Sequence, residues 1–202
     1  MGFRRKGIII ITAIAICLRP LAKSLLWMNS APPDEDVGAI DFLSTEQLAT
    51  HVKGKQALLI GGTRGVGYGT ALALAKAGAH VTIVGRNENS GMSSVSKILA
   101  ASSESGSVVE FLQGDIVTVC SATNLVDRLV ARNKRYDFAV ISAATFPDWT
   151  KPLQNEDGID KSFGIAVVGR YLIYRNMHRF MASNARVLNV LASGEKFPKR
   201  GT

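Results

Sequence analysis

The sequence predicts an α/β fold built on a doubly wound parallel sheet. Two observations carry that prediction. Short, almost continuous apolar runs alternate with longer helix-favouring stretches, the order expected when parallel strands are buried on both faces by crossover helices. A glycine-rich turn, Gly61–Gly67, joins the first such run to the first such stretch.

Lys55–Ile60 reads KQALLI and is expected to be a buried strand. Gly67–Ala77 is rich in alanine and leucine, which favour helix, and Gly78 closes it. His80–Val84 reads HVTIV, a β-branched run that suits a second strand. Ser93–Ser102 is expected to be helical, Val108–Leu112 a third strand and Val119–Lys134 a helix. Tyr136–Ser142 contains DFAVIS, the fourth strand; Gly158–Met181 is a long helical stretch; and Ala185–Leu191 is a fifth strand. Right-handed crossovers turn this β-α-β-α-β-α-β-α-β order into a doubly wound sheet. The fifth strand comes close to residue 202, so the reading is of a domain truncated after that strand, with an edge left uncovered.

The chain has 202 residues, 47% hydrophobic and 20% charged, which suits one folded domain with an appendage. The division expected is a targeting or membrane-anchoring segment over 1–30, a linker over 31–50 and the domain over 51–202. Cys17 and Cys120 suggest no disulfide framework, and Cys120 is expected to be a free, buried thiol. His51, His80 and His178 are isolated, with no metal-ligand spacing, so no metal site is expected.

The net charge of +8 is unevenly placed. Arg4, Arg5, Lys6, Arg19 and Lys23 precede residue 30 without an acid, leaving 19 basic against 16 acidic residues, a net +3, for the rest. That remainder has no basic stripe with interleaved aromatics, which argues against nucleic acid as a partner. The apolar run GIIIITAIAICL, residues 7–18, follows the basic start. Its 12 residues are short of the roughly 20 that span a bilayer, but the pattern fits a signal-like segment. With Leu25–Met28 it could form a membrane-associated helix, so the expected location is membrane-associated, at the endoplasmic reticulum. The absence of acids fits a mitochondrial presequence as the second reading. Ser30–Asp36, with two prolines and three acids, reads as linker.

The glycine turn is where chemistry is expected. A turn between strand and helix can hold a pyrophosphate over the exposed N–H groups of the helix start. Gly61 can make the tight turn, Gly65 can let the backbone approach the pyrophosphate, and Gly67 can let the helix pack closely on the strand. Thr63, Arg64 and Val66 belong to the same loop. Arg86 follows the second strand, where the adenosine ribose is expected; an acid would bond the 2′-hydroxyl of NAD, whereas arginine can pair with the 2′-phosphate of NADP. Arg64 could add a second positive group, so NADP is preferred over NAD. Asp115 follows the third strand and either bonds the adenine amino group or caps the next helix.

On these residues the chain resembles the short-chain dehydrogenase/reductase family, over about residues 54–198. The resemblance implies a Rossmann-like fold. In the family pattern T-G-x-x-x-G-x-G, Gly61, Gly65 and Gly67 match and Ile60 replaces the threonine. Gly114-Asp115-Ile116 is similar to the family's adenine-binding aspartate after the third strand. The N-N-A-G that ends the fourth strand corresponds to Ile141–Ala144, with a match at Ala143, so Ala143 is expected to line the cofactor. Asp157–Phe163 resembles the start of the family's long helix, and the relay asparagine aligns with Ala166. Arg186–Gly194 resembles the fifth strand and the catalytic-serine loop. The serine position falls on Ala192, and Ser193 is the candidate catalytic residue if that loop shifts by one. The Tyr-x-x-x-Lys pair, expected beyond the serine, is not in residues 1–202; Tyr171 and Tyr174 precede the fifth strand and do not replace it.

The function implied is an oxidoreductase that uses NADP(H) on an unidentified alcohol or carbonyl, with a small molecule or lipid as substrate. The alternative is a catalytically inactive dinucleotide-binding module or a truncated gene product.

Overall fold

The computed structural model describes residues 44–145 and 153–191. The segments read as targeting sequence and most of the linker, together with Ala192 and Ser193, lie outside the described residues. Five parallel strands form one sheet in the order β3-β2-β1-β4-β5. They are β1 (Gln56–Ile60), β2 (His80–Gly85), β3 (Val109–Gln113), β4 (Tyr136–Ile141) and β5 (Met181–Asn189). The order reverses between β1 and β4, the switch point at which open α/β sheets bind ligands.

The central strands are apolar throughout because alternate residues serve two cores. Leu58, Ile60, Val84, Leu112, Ala139 and Ile141 face one side. They pack on α4 (Val119–Ala131) through Ala122, Leu125, Val126 and Leu129, an i, i+3, i+4, i+7 stripe. Ile173 of α6 (Arg170–Asn176) and Phe180 complete that core. On the other side Ala57, Leu59, Val81, Ile83 and Val140 meet Ala71, Leu74 and Ala75 of α2 (Gly65–Lys76) and Val95 and Ile98 of α3 (Glu88–Ala101).

Several elements differ from expectation. A helix α1 (Thr45–Val52) precedes β1, started by a reciprocal cap in which Ser44 accepts from the Gln47 N–H and the Gln47 side chain accepts from the Ser44 N–H. Val52 anchors it in the second core, so part of the stretch read as linker is helical. The α3 helix begins at Glu88, five residues early, because Asn87 caps it through the Ser90 N–H. Its Gly91 is required: a β-carbon there would strike the Phe111 ring. Cys120 is exposed, on the opposite side of α4 from the buried stripe.

The long helix expected over 158–181 is segmented. A short α5 (Lys161–Phe163) leads into π-helical Gly164–Gly169 and then α6. Both glycines seat this segment on the β3–α4 loop: a β-carbon on Gly164 would lie 2.6 Å from the Val117 carbonyl oxygen, and one on Gly169 would strike that of Ile116. Strand β5 starts at Met181, with a register irregularity before Arg186; the regular ladder, Phe138↔Arg186 to Ile141↔Asn189, coincides with the expected strand.

A polar cluster lies at the opposite end of the sheet from the glycine turn. The Glu110 carboxylate accepts from Thr82 Oγ1 at 2.7 Å and Lys134 Nζ at 2.6 Å, and pairs with Arg132 at 2.5 Å. The fully buried Tyr136 hydroxyl donates to Thr82 Oγ1 at 3.3 Å.

Candidate dinucleotide-binding site

The glycine turn leaves β1 at the switch point, and each of its three motif glycines meets a different requirement. Gly61 has φ +96°, a region hostile to side chains, and a β-carbon would lie 2.5 Å from the Ala143 nitrogen and 2.7 Å from its Cα. Its absent side chain is what lets the ends of β1 and β4 converge. Gly67 is buried where α2 crosses the turn; a β-carbon there would strike the Gly61 carbonyl oxygen and Ser142 Oγ. Gly65 has φ +56°, and a β-carbon there would meet nothing within 4 Å among the described residues, so it stands open to a ligand's approach.

Among the described residues, side chains cap α1 (Ser44), α3 (Asn87), α4 (Thr118) and α5 (Asp160), while α6 runs on from the π-helical segment with no cap of its own. Helix α2 starts afresh from the turn without one. Its N-cap is Arg64, extended at φ −161°, with no side-chain cap bond and no acid in the first turn. The N–H groups at its start therefore keep their partial positive charge. Arg64 and Val66 are exposed at this end. Thr63 is set by the sheet: its methyl sits over Gly85, where a β-carbon would come within 2.6 Å, and its carbonyl accepts from buried Ser94 at 3.0 Å. An uncapped helix start, an open glycine and a neighbouring arginine fit the pyrophosphate of a dinucleotide.

Arg86 is exposed at the end of β2, and its carbonyl accepts from Gln113 Nε2 at 3.1 Å. Asp115 is half-buried after β3, with Oδ1 accepting from the Ile116 and Val117 N–H groups at 2.7 and 3.2 Å. It braces its own loop, while Thr118 caps α4. On the far side of β1, the Ala143 N–H donates to the Ile60 carbonyl at 3.0 Å, and Ser142 Oγ donates to that of Gly61 at 3.2 Å. Ser142, which stands where the resemblance expects asparagine, thus ties β4 to the glycine turn. Ala166 is exposed within the π-helical segment.

The structure brings Gly61, Thr63, Arg64, Gly65, Val66, Gly67, Arg86, Asp115 and Ala143 to the same end of the sheet, at the C-terminal ends of β1 to β4. Two residues there carry no sequence signal. Arg170 is 3% exposed and bonds the Ala143 carbonyl at 2.8 Å, the Val190 carbonyl at 3.0 Å and Asn189 Oδ1. Asn155 holds the 153–160 loop to the Val117 carbonyl at 2.6 Å.

A family model described as enoyl-(acyl carrier protein) reductase matches residues 61–198. A polyprenol dehydrogenase of Danio rerio is 31% identical over 120 residues, covering 59% of this chain and 36% of the relative. The short chain dehydrogenase/reductase astE of Aspergillus oryzae is 34% identical over 119 residues, covering 58% and 44%. A solved structure described as a short chain dehydrogenase/reductase family protein superposes with a TM-score of 0.53 at 26% identity, covering 68% of this chain and 55% of that one. The chain therefore spans between about a third and a half of the curated relatives it matches. With the parallel sheet, the switch-point glycine turn and the matched family model together, the chain belongs to the short-chain dehydrogenase/reductase family.

Proposed function

We propose that the chain binds NADP(H) across the Gly61–Gly67 turn and forms the cofactor-binding part of an oxidoreductase acting on an alcohol or carbonyl. The family binds a nicotinamide dinucleotide. The observation that carries the reading is the uncapped start of α2 beside the open Gly65. Its N–H groups would receive the pyrophosphate. Arg86, with Arg64 as a second cation, would pair with the 2′-phosphate, and Asp115 Oδ2, the oxygen not used by the Ile116 and Val117 N–H groups, would accept from the adenine amino group. Gly61 and Ala143 would line the path toward β4.

The bound nicotinamide supplies hydride exchange with the substrate carbon. Ser193 remains the candidate for polarising the substrate oxygen. A lipid alcohol is one substrate class this reading admits, since one relative is named a polyprenol dehydrogenase. The basic-then-apolar segment over 4–18 supports membrane association, at the endoplasmic reticulum or, as the second reading, targeting to the mitochondrion. Among the described residues no helix is long and apolar enough to cross a membrane.

A second reading, a module that binds the dinucleotide without turning it over, is favoured by Ala166 and Ser142 where the family has asparagines. Calorimetric titration with NADPH and NADH tests the cofactor. NADPH is expected to bind more tightly, and Arg86→Ala to weaken NADPH about tenfold or more while leaving NADH nearly unchanged. Equal losses for both cofactors would overturn the role of Arg86. Hydride exchange on an alcohol and carbonyl panel then separates the two readings: turnover supports the enzyme, and binding without turnover supports the module.

A further inference from the structure

Arg170 carries a positive charge into the interior beside the ends of β4 and β5. Its acceptors are all neutral: the carbonyls of Ala143 and Val190 and the side-chain amide of Asn189. Its Nε is buried and has no partner among the described residues. Among the described residues no carboxylate pairs with it; the ion pairs there join Lys55 to Asp137, Arg132 and Lys134 to Glu110, and Arg179 to Asp127. Burial lowers the guanidinium's pKa, yet an arginine keeps its charge in proteins, and burial holds the neighbouring Tyr174 hydroxyl protonated.

The position of this charge is informative. A dinucleotide lies across the switch point, with its adenosine half toward the β2 and β3 ends, where Arg86 and Asp115 stand. Its other half must cross to the β4 and β5 ends, which Arg170 joins. The oxidised nicotinamide ring bears a positive charge and the reduced ring bears none. We propose that Arg170 is a positioning residue that also biases the bound cofactor toward its reduced form, by placing behind the ring half of the site a cation that no described carboxylate pairs with. This inference rests on the NADP(H) reading above. In an interior of effective dielectric ~20, a like charge roughly 12 Å away shifts such a preference by about tenfold.

Titrating NADPH and NADP+ separately into the full chain tests it. The informative variant is Asn189→Asp, nearly the same shape, which puts a carboxylate where an amide oxygen already accepts from Arg170 Nη1. It is expected to move the affinity ratio of NADP+ to NADPH about tenfold toward NADP+. Arg170→Lys, which keeps the charge but loses the fork, is expected to retain the wild-type ratio even where both affinities fall. Arg170→Met should move the ratio as Asn189→Asp does. An unchanged ratio in Asn189→Asp, with both forms bound, would reduce Arg170 to a structural clamp and overturn the inference. Failure of the wild-type chain to bind either form would instead overturn the cofactor reading, and this inference with it.

Discussion

Gly65→Ala separates folding from binding at the glycine turn. At φ +56° a side chain costs about 1 kcal/mol, because the β-carbon crowds its own backbone. Among the described residues nothing else lies within 4 Å, so no packing penalty is added. In a domain of this size, that lowers Tm by roughly 2–4 °C. The added methyl would nonetheless occupy the approach to the α2 N–H groups. Loss of one charge-assisted hydrogen bond there is worth roughly 1.5–3 kcal/mol, or about 10- to 100-fold in NADPH affinity. Gly61→Ala is the contrasting variant. It combines φ +96° with backbone atoms of Ala143 at 2.5 and 2.7 Å, so neither the turn nor β4 can yield cheaply. A loss of about 3 kcal/mol or more is expected, with Tm lower by roughly 6–12 °C. Thermal melts without ligand and calorimetry with NADPH read the two effects. NADPH binding to Gly65→Ala at wild-type affinity would refute the assignment of the open space to the pyrophosphate, and a wild-type Tm for Gly61→Ala would refute the convergence of β1 and β4 on that glycine.

Three further outcomes are expected. Burial works against the Glu110 carboxylate, but hydrogen bonds from Lys134, Thr82 and Arg132 outweigh it and hold its carboxyl below the ordinary 4.5. Because the folded pKa is depressed, this stabilisation is present above the unfolded value and disappears as pH falls through the folded one. Glu110→Gln should therefore cost about 1–2 kcal/mol at neutral pH in urea unfolding, with the gap from wild type closing below pH 4.5; a constant gap would contradict the assignment. Leu125→Ala, at a side chain 1% exposed in the first core, should lower stability by about 2–4 kcal/mol in the same assay. Gly169→Ala should cost about 1–3 kcal/mol, because the π-helical segment cannot draw back from Ile116 without leaving the sheet; a neutral result would show that it can.

The strands are legible in the sequence because burial on both faces leaves a run such as LLI with no other use, and the glycine turn because its residue type is dictated by local backbone geometry. Legibility falls where tertiary contacts decide. Helix α1 has a usable signal, Ser44 followed three residues later by Gln47, hidden beside a proline-rich stretch. Helix α3 has glycine and serines where a helix former is expected, because its face is shaped to admit the Phe111 ring. The π-helical segment has no local signature; it follows from two glycines lying against the β3–α4 loop, which only the folded chain brings near. Arg170 reads as a surface cation on a helix, and only strand ends distant in sequence reveal it as buried. Residue type alone places Cys120 inside, but the α4 stripe turns it outward.

The Arg64 cap has a consequence for the energetics of the whole domain. A serine or aspartate at that position would satisfy a helix N–H group and stabilise the ligand-free fold by about 1 kcal/mol. The chain forgoes that increment at the place where an anion is expected to supply it, so its stability and its ligand occupancy are thermodynamically linked. Arg64→Asp should melt higher alone yet gain less on adding NADPH, replacing a conditional stability with a permanent one.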